Sequence, residues 1–138
     1  MEKLQIKNLI ESKIFPEQRG RPLLKETNIS WVILTKKYAY KIKKPLQYSF
    51  LNFSTLAKRK YYCEREVELN KRLAGKIYLK VIPVFINKDD FSFNKDDGKL
   101  IDYAVLMKRM DSDKEMDKLL ERDSVSNNAI EKLAKEIA

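Results

Sequence analysis

The longest amphipathic pattern in the chain runs from Ser54 to Gly75. Ser54 can cap the start of a helix and Gly75 can end one in the left-handed conformation, so the pattern predicts a single helix of about five to six turns. When residues are placed at about 100° per step, the apolar side chains fall on one arc, which we expect to face the core. These side chains are Leu56, Tyr62, Cys63, Val67, Leu69, Leu73 and Ala74. The opposite arc is mostly charged, as is typical of a solvated face.

Glu66 interrupts this apolar arc. A buried carboxylate without a partner is costly, so we expect a cation on the element that faces the helix. In the preceding segment Tyr38–Lys44, alternation places Lys41 on the face opposite Tyr40. Two interpretations are equally compatible with the spacing: a Lys41–Glu66 ion pair between strand and helix, or a Lys41 that reaches solvent while Glu66 bonds Arg59.

The remaining patterns predict an α+β domain. Residues 6–14 suit a short amphipathic helix, which we expect to pack across one edge of the sheet. Five strands follow from alternating or continuous apolar runs, and Pro83 favours an edge position or a bulge in the third. The predicted strands are Ile29–Thr35, Tyr38–Lys43, Leu79–Asn87, Phe91–Phe93 and Leu100–Met110. Residues 46–53 are predicted to form an aromatic linker, with Phe50 and Phe53 filling the core.

Helical signals continue after the last predicted strand. Residues 112–115 have the spacing of a capping box, and an apolar stripe over residues 130–137 has no stop signal before the sequence ends. We therefore expect the chain to be cut inside or at the end of a helix. The expected organisation is an N-terminal helix and linker at 1–25, a lobe at 26–110 and following helices at 111–138.

Composition limits the possible functions. A chain of 138 residues with 43% hydrophobic residues can form one small domain with a core. It lacks a long apolar run and starts with a charged segment, so we expect a soluble, cytoplasmic protein with no membrane partner. The absence of histidine and the single Cys63 exclude a histidine-activated nucleophile, an intramolecular disulfide and a Cys/His zinc cluster. The net charge of +9 favours an anionic partner without choosing one.

Two copies of the sequence NKDD, at 87–90 and 94–97, could suggest a cation site. Acidic turns at the ends of a hairpin are far more often solvated loops. We interpret them as loops and expect no metal there.

Three blocks of the sequence resemble the N-terminal part of aminoglycoside-phosphotransferase-like kinases. They are ETNISWVILTKKYAYKIKKP at 26–45, FLNFSTLAKRKYYCEREVELNKRLAGKIYL at 50–79 and DYAVLMKRM at 102–110. The chain is most similar to the uncharacterised prokaryotic branch that is often joined to a P-loop ATPase domain. The resemblance implies a protein-kinase-like N-lobe, with a five-stranded antiparallel sheet and one long helix, which binds ATP and Mg²⁺ against a C-lobe.

The resemblance also assigns residues. Lys41 matches the strand lysine that contacts the ATP phosphates, and Glu66 matches the helix glutamate that orients it; Lys43 is the alternative if the strand register shifts by two. Further nucleotide contacts are expected from Asn28, Ile29, Ser30, Val105, Met107, Lys108, Arg109 and Met110. The first three form a turn whose N–H groups and hydroxyl can meet phosphate oxygens. The last four match the hinge whose backbone bonds adenine, while Val105 and Met107 line its apolar slot.

The sequence also departs from the family pattern. Such kinases carry the catalytic aspartate of a His-Gly-Asp type motif, and the residues that bind magnesium, in the C-lobe, and these are not in this sequence. We therefore expect this chain alone to bind nucleotide weakly and to be inactive. Asn52 stands where relatives tend to have aspartate, and no glycine-rich loop is present. The phosphate acceptor depends on the missing lobe.

Two other classes of function remain open. Trp31, Tyr38 and Tyr40 alternate with lysines and could stack and neutralise single-stranded nucleic acid, which we consider the less favoured reading. A lobe without its partner would also expose apolar surface and could self-associate as a scaffold or homo-oligomer. Steep salt dependence would indicate nucleic-acid binding, whereas nucleotide binding should depend on Lys41.

Overall fold

The computed structural model describes most of the chain. The described residues are 1–12, 14–15, 21–49, 51–74, 76–88, 90–93, 98–110 and 114–120. They form an α+β fold in which an antiparallel sheet of six strands carries helices on both faces. The expected five-stranded sheet was one strand too small, since the described residues form six strands in the main sheet. One long helix was expected in the lobe, with an N-terminal helix before it and further helices after it, and the described residues form three helices.

The elements follow one another in a simple order along the chain. They are α1 Lys3–Glu11, β1 Leu23–Glu26, β2 Ser30–Leu34, β3 Tyr38–Lys43, β4 Gln47–Tyr48, β5 Leu51–Asn52, α2 Leu56–Ala74, β6 Tyr78–Asn87, β7 Asp90–Ser92, β8 Lys99–Lys108 and α3 at residues 114–120. The main sheet has the order β1-β2-β3-β8-β6-β7, and β4 pairs with β5 in a separate hairpin. The strand β3, which carries Lys41, thus lies inside the sheet between β2 and β8.

Three of these elements, the strand β1 and the two strands of a hairpin, were not predicted from the sequence. The strand β1 is short, and its half-buried and exposed side chains give no run of apolar residues that would indicate a strand. The predicted aromatic linker contains the hairpin of β4 and β5. It leads to Phe53, whose side chain is fully buried as expected.

One face of the main sheet is covered by α1. The buried residues Ile6, Leu9 and Ile10 pack in one cluster with residues of β2, β3 and β8. Those sheet residues include Trp31, Ile33, Tyr40, Ile42 and Ala104. The prediction that this helix lies across an edge was wrong, because its buried side chains belong to the apolar cluster on one face of the sheet.

The other face of the sheet is covered by α2 and α3. Cys63 and Val67 of α2 and Met116, Leu119 and Leu120 of α3 belong to one buried cluster with the strands below them. The strand residues of this cluster include Val32, Leu34, Ala39, Val105 and Met107. This second face contains the predicted site.

At the edge of the sheet formed by β6 and β7, a proline and a glycine occupy positions that suit their backbone conformations. Pro83 pairs with Tyr103 of β8 on one side, and β7 pairs only with the last three residues of β6, so the proline ring interrupts no ladder on its other side. The register shifts one residue after Pro83, between Val84 and Phe85, which agrees with the predicted edge position or bulge. Gly98, before β8, has φ 102°, and an added Cβ would clash with the Ile86 carbonyl oxygen.

Some predictions lie outside the described residues. They concern the side chain of Phe50, the helix end at Gly75, the second acidic loop at 94–97, the capping residue Ser112 and the helix expected over residues 130–137.

Candidate nucleotide site

Two lysines of β3 point to the same face of the sheet. Successive residues of a strand alternate between faces, so Lys41 and Lys43 lie beneath α2, whereas Tyr40 and Ile42 face α1. In the ladder, Lys41 lies between Val32 of β2 and Val105 of β8. The surrounding strands and helices leave both lysines almost without solvent exposure, at 1% and 0%.

Glu66 of α2 meets both ammonium groups. Its carboxylate lies 2.9 Å from Lys43 Nζ and 3.3 Å from Lys41 Nζ, and the residue is only 3% exposed. The predicted ion pair between Lys41 and Glu66 is therefore confirmed. The second bond, from Lys43, was not predicted, although the same alternation places that side chain on the same face.

The alternative pairing of Glu66 with Arg59 was wrong. The guanidinium of Arg59 instead donates through Nε to Asp102 Oδ1 at 3.1 Å and through Nη1 to the Phe53 carbonyl oxygen at 2.9 Å. Asp102 is fully buried, and its other oxygen bonds the amino group of Met1. Arg59 lies on the buried arc of α2, so its burial could be predicted from the sequence. Its partner on β8, Asp102, could not be predicted.

Aromatic and hydroxyl groups complete the surroundings of Lys43. Its Nζ lies 4.8 Å from the centroid of the Phe53 ring, a cation–π geometry. Ser30 is its cross-strand neighbour on β2. The Ser30 hydroxyl is buried and has no hydrogen-bond partner among the described residues.

Cys63 is one turn before Glu66 on the same helix face. Burial raises the pKa of its thiol to about 12; the nearby Lys43 lowers that pKa and the Glu66 carboxylate raises it. The thiol is therefore neutral and packs as a small apolar group.

The turn at residues 28–30, which was predicted to contact phosphate, uses its backbone N–H groups for hydrogen bonds to a neighbouring side chain. The Ile29 and Ser30 N–H groups donate to Thr27 Oγ1 at 3.4 and 3.0 Å. Asn28 between them is exposed. In this conformation the N–H groups of Ile29 and Ser30 are engaged within the turn, and the Ser30 hydroxyl is buried.

The predicted hinge, residues 107–110, spans the end of β8 and the two residues after it. The Lys108 N–H donates to the Ile77 carbonyl at 2.8 Å, and the Arg109 N–H donates to the Lys37 carbonyl at 2.9 Å. Arg109 also donates through Nη1 to the Thr35 carbonyl. Met110 is half-buried against the cluster beneath α2 and α3. The two backbone N–H groups are thus already engaged in this conformation.

The predicted adenine slot lies on the same face as the lysines. Val105 is the cross-strand neighbour of Lys41, and Met107 is that of Ala39. Both Val105 and Met107 are fully buried, because Met116 and its neighbours on α3 join their cluster. An ion pair between Lys25 of β1 and Asp117, at 2.7 Å, also links α3 to the sheet.

The described residues bring together no group of three His, Cys, Asp or Glu side chains that could hold a metal ion. Among the helices that these residues form, none combines the length and apolar character needed to cross a membrane.

Comparison with known proteins gives a short match. An uncharacterised protein of Mycobacterium bovis and two of Mycobacterium tuberculosis strains are each 41% identical to the chain over 58 residues. The match covers 42% of this chain and 12% of each relative, so the matched stretch is a small part of those longer proteins. No family model matches the chain, and no solved structure matches it.

Proposed function

We propose that this chain is the ATP-binding N-lobe of a kinase-like small-molecule phosphotransferase. The observation that carries the proposal is the buried contact between Lys41, on the third strand, and Glu66, on the helix that follows. Protein kinases use a lysine on the third strand, paired with a glutamate on the next helix, to hold the nucleotide phosphates. The same order of elements with the same pair of side chains supports the proposal.

The other expected contacts agree with it to different degrees. Val105 and Met107 share the face of Lys41, as the walls of an adenine slot require. The N–H groups of Ile29, Ser30 and Lys108 are engaged within the fold, so they are weaker supports. The proposal therefore rests on Lys41 and Glu66, with Glu66 holding the Lys41 ammonium in position to contact the phosphates when ATP binds.

Phosphoryl transfer needs more than this chain. A base for the acceptor hydroxyl and ligands for Mg²⁺ are expected from a C-lobe, which would also select the acceptor. The role proposed for the chain is to bind and orient ATP. In this structure α3 packs in one cluster with Val105 and Met107, so the adenine ring would enter the proposed slot only after α3 moves.

The test compares two lysine variants. Lys41→Met should weaken ATP binding at least about tenfold, because a charge-assisted hydrogen bond to phosphate is worth roughly 1.5–3 kcal/mol. Lys80→Met removes an exposed lysine of β6 and should leave the affinity unchanged. Titration calorimetry with Mg-ATP gives both constants. Equal affinities of wild type and Lys41→Met, or no ATP binding by the wild type, would overturn the proposal.

A further inference from the structure

A cavity lies at one end of the main sheet, outside the residues of the proposed function. The ladder between β3 and β8 ends with Ile42 opposite Ala104. Beyond this pair, Pro45 and the first residues of β8 line a cavity of about 380 Å³, a size in the range of small-molecule sites. Ile101 in its wall is six residues from Met107, or roughly 20 Å along the strand. The cavity is therefore distinct from the proposed adenine slot.

Arg59 reaches this cavity from the buried face of α2 in a fixed orientation. Its Nε donates to Asp102 Oδ1 at 3.1 Å, and its Nη1 donates to the Phe53 carbonyl oxygen at 2.9 Å. Because the guanidinium is planar, these two bonds also fix the third nitrogen, Nη2. Nη2 has no hydrogen-bond partner among the described residues, yet it is not cut off from solvent. It is thus a charged donor that opens to the cavity and is already oriented for an anion.

Two further donor groups line the same cavity. Gln5 of α1 accepts the Glu2 N–H at its Oε1 at 2.9 Å, which leaves the side-chain NH2 group without a partner in the described part of the chain. Lys99, at the start of β8, is exposed and forms no ion pair with any described carboxylate. Three different elements, α1, α2 and β8, therefore each direct a donor to one space.

The charges around the cavity favour an anion. Asp102 bonds both Arg59 and the Met1 amino group, so one carboxylate offsets two cations. Lys99 adds a positive charge to the wall, and the exposed Glu2 adds a negative one. These five groups carry three positive and two negative charges, and the excess of one positive charge suits a monoanion.

We propose that this cavity binds a small organic anion, namely a carboxylate carried on a short apolar chain. The carboxylate accepts hydrogen bonds from Arg59 Nη2, the Gln5 amide and the Lys99 ammonium, and those from the two cations are charge-assisted. The apolar chain packs on the other side of the cavity, which is formed by Pro45, Leu100 and Ile101. An inorganic anion leaves this apolar side uncovered, which is why the walls favour a carboxylate with a chain.

A titration with sodium hexanoate at constant ionic strength tests the site. Followed by ¹H–¹⁵N NMR, it should give saturable shifts of residues 1–5 and 99–101 and of the Arg59 Nε–H signal, with a millimolar Kd, as is typical of so small a ligand. Hexan-1-ol has the chain without the charge, and sodium sulfate has charge without the chain. Each should bind at least about fivefold more weakly than hexanoate. Equal binding of either compound would overturn the inference.

Two variants at accessible positions test the donors without disturbing the core. Gln5→Glu keeps an acceptor for the Glu2 N–H but replaces the amide donor by a carboxylate, and Lys99→Met removes an exposed ammonium. Each should raise the Kd for hexanoate at least about fivefold. Lys80→Met, at an exposed position of β6 outside the cavity, should leave the Kd unchanged. An unchanged Kd in both cavity variants, or no saturable shift in the wild type, would overturn the inference.

A titration in the presence of Mg-ATP separates this site from the proposed function. Hexanoate should bind with the same Kd with and without Mg-ATP, because the two sites lie toward opposite ends of β8. Competition of Mg-ATP with hexanoate at residues 99–101 would overturn the inference. A failure of Mg-ATP to bind anywhere would overturn the proposed function alone, since hexanoate binding does not depend on it.

Discussion

At the scale of single residues, the chain places several charged side chains in its interior, where the loss of hydration costs the most free energy. Lys41, Lys43, Glu66, Arg59 and Asp102 are all less than a tenth exposed. Each buried charge loses its hydration, and only an opposite charge at short range offsets that loss. The positions of these five side chains therefore depend strongly on one another, and substitutions among them should have unequal effects.

The shared carboxylate predicts an order of stabilities. Glu66→Gln leaves two buried ammonium groups side by side and should lower the free energy of unfolding by about 3 kcal/mol or more. Lys41→Met should cost less, because Lys43 still neutralises Glu66. Urea denaturation measures both, with Lys80→Met as an exposed control. A loss for Lys41→Met as large as that for Glu66→Gln would contradict the shared pairing.

The reactivity of the Cys63 thiol measures how readily reagents reach the interface between α2 and the sheet. Because its thiol pKa is raised to about 12, the thiolate is scarce near neutral pH, and burial also keeps reagents away. We expect a thiol reagent such as DTNB not to react with the native protein at about pH 8 and to react fully in concentrated guanidinium chloride. Rapid reaction of the native protein would mean that the face opens readily.

At the scale of elements, the helix α2 and the strand β3 could be predicted from the sequence, and so could their contact. Alternation in β3 places its lysines on one face, and the wheel of α2 places Glu66 among apolar residues. Neither pattern says how many lysines reach the carboxylate, because side-chain length allows both to do so. The strand β1 and the hairpin of β4 and β5 could not be predicted, since their short segments gain their structure from pairing rather than from a periodic pattern.

If the proposed adenine slot binds nucleotide, the helix α3 should control access to it. Met116→Glu places a charge at a fully buried position and should displace α3 from the sheet. Because apparent affinity rises with the fraction of molecules in the binding-competent state, ATP should then bind about tenfold more tightly. Lys118→Glu, at an exposed position of the same helix, should change nothing.

Two measurements check this role of α3. Hydrogen exchange shows whether residues 114–120 have opened, and titration calorimetry gives the Kd. An opened helix with an unchanged Kd would mean that α3 does not cover the nucleotide site.

At the scale of the whole molecule, the sequence gives the α+β class and one buried charge pair but not the complete site. The Asp102–Arg59 contact joins residues far apart in the chain, and no local pattern relates them. The covering of Val105 and Met107 by α3 also depends on where the chain turns after β8. Local periodicity thus places a side chain on a face, whereas the partner on that face is decided by strand order.

That strand order has a consequence for how the protein folds during its synthesis. Lys41 and Glu66 leave the ribosome before β8, yet β8 is the strand that lies beside Lys41 inside the sheet. Until it is synthesised, the nascent chain has an open edge next to two lysines that are still hydrated. Non-local pairing of this kind is completed late. A nascent chain therefore cannot acquire the charged interior stepwise, and the nucleotide pocket proposed here would come into being only together with the finished sheet.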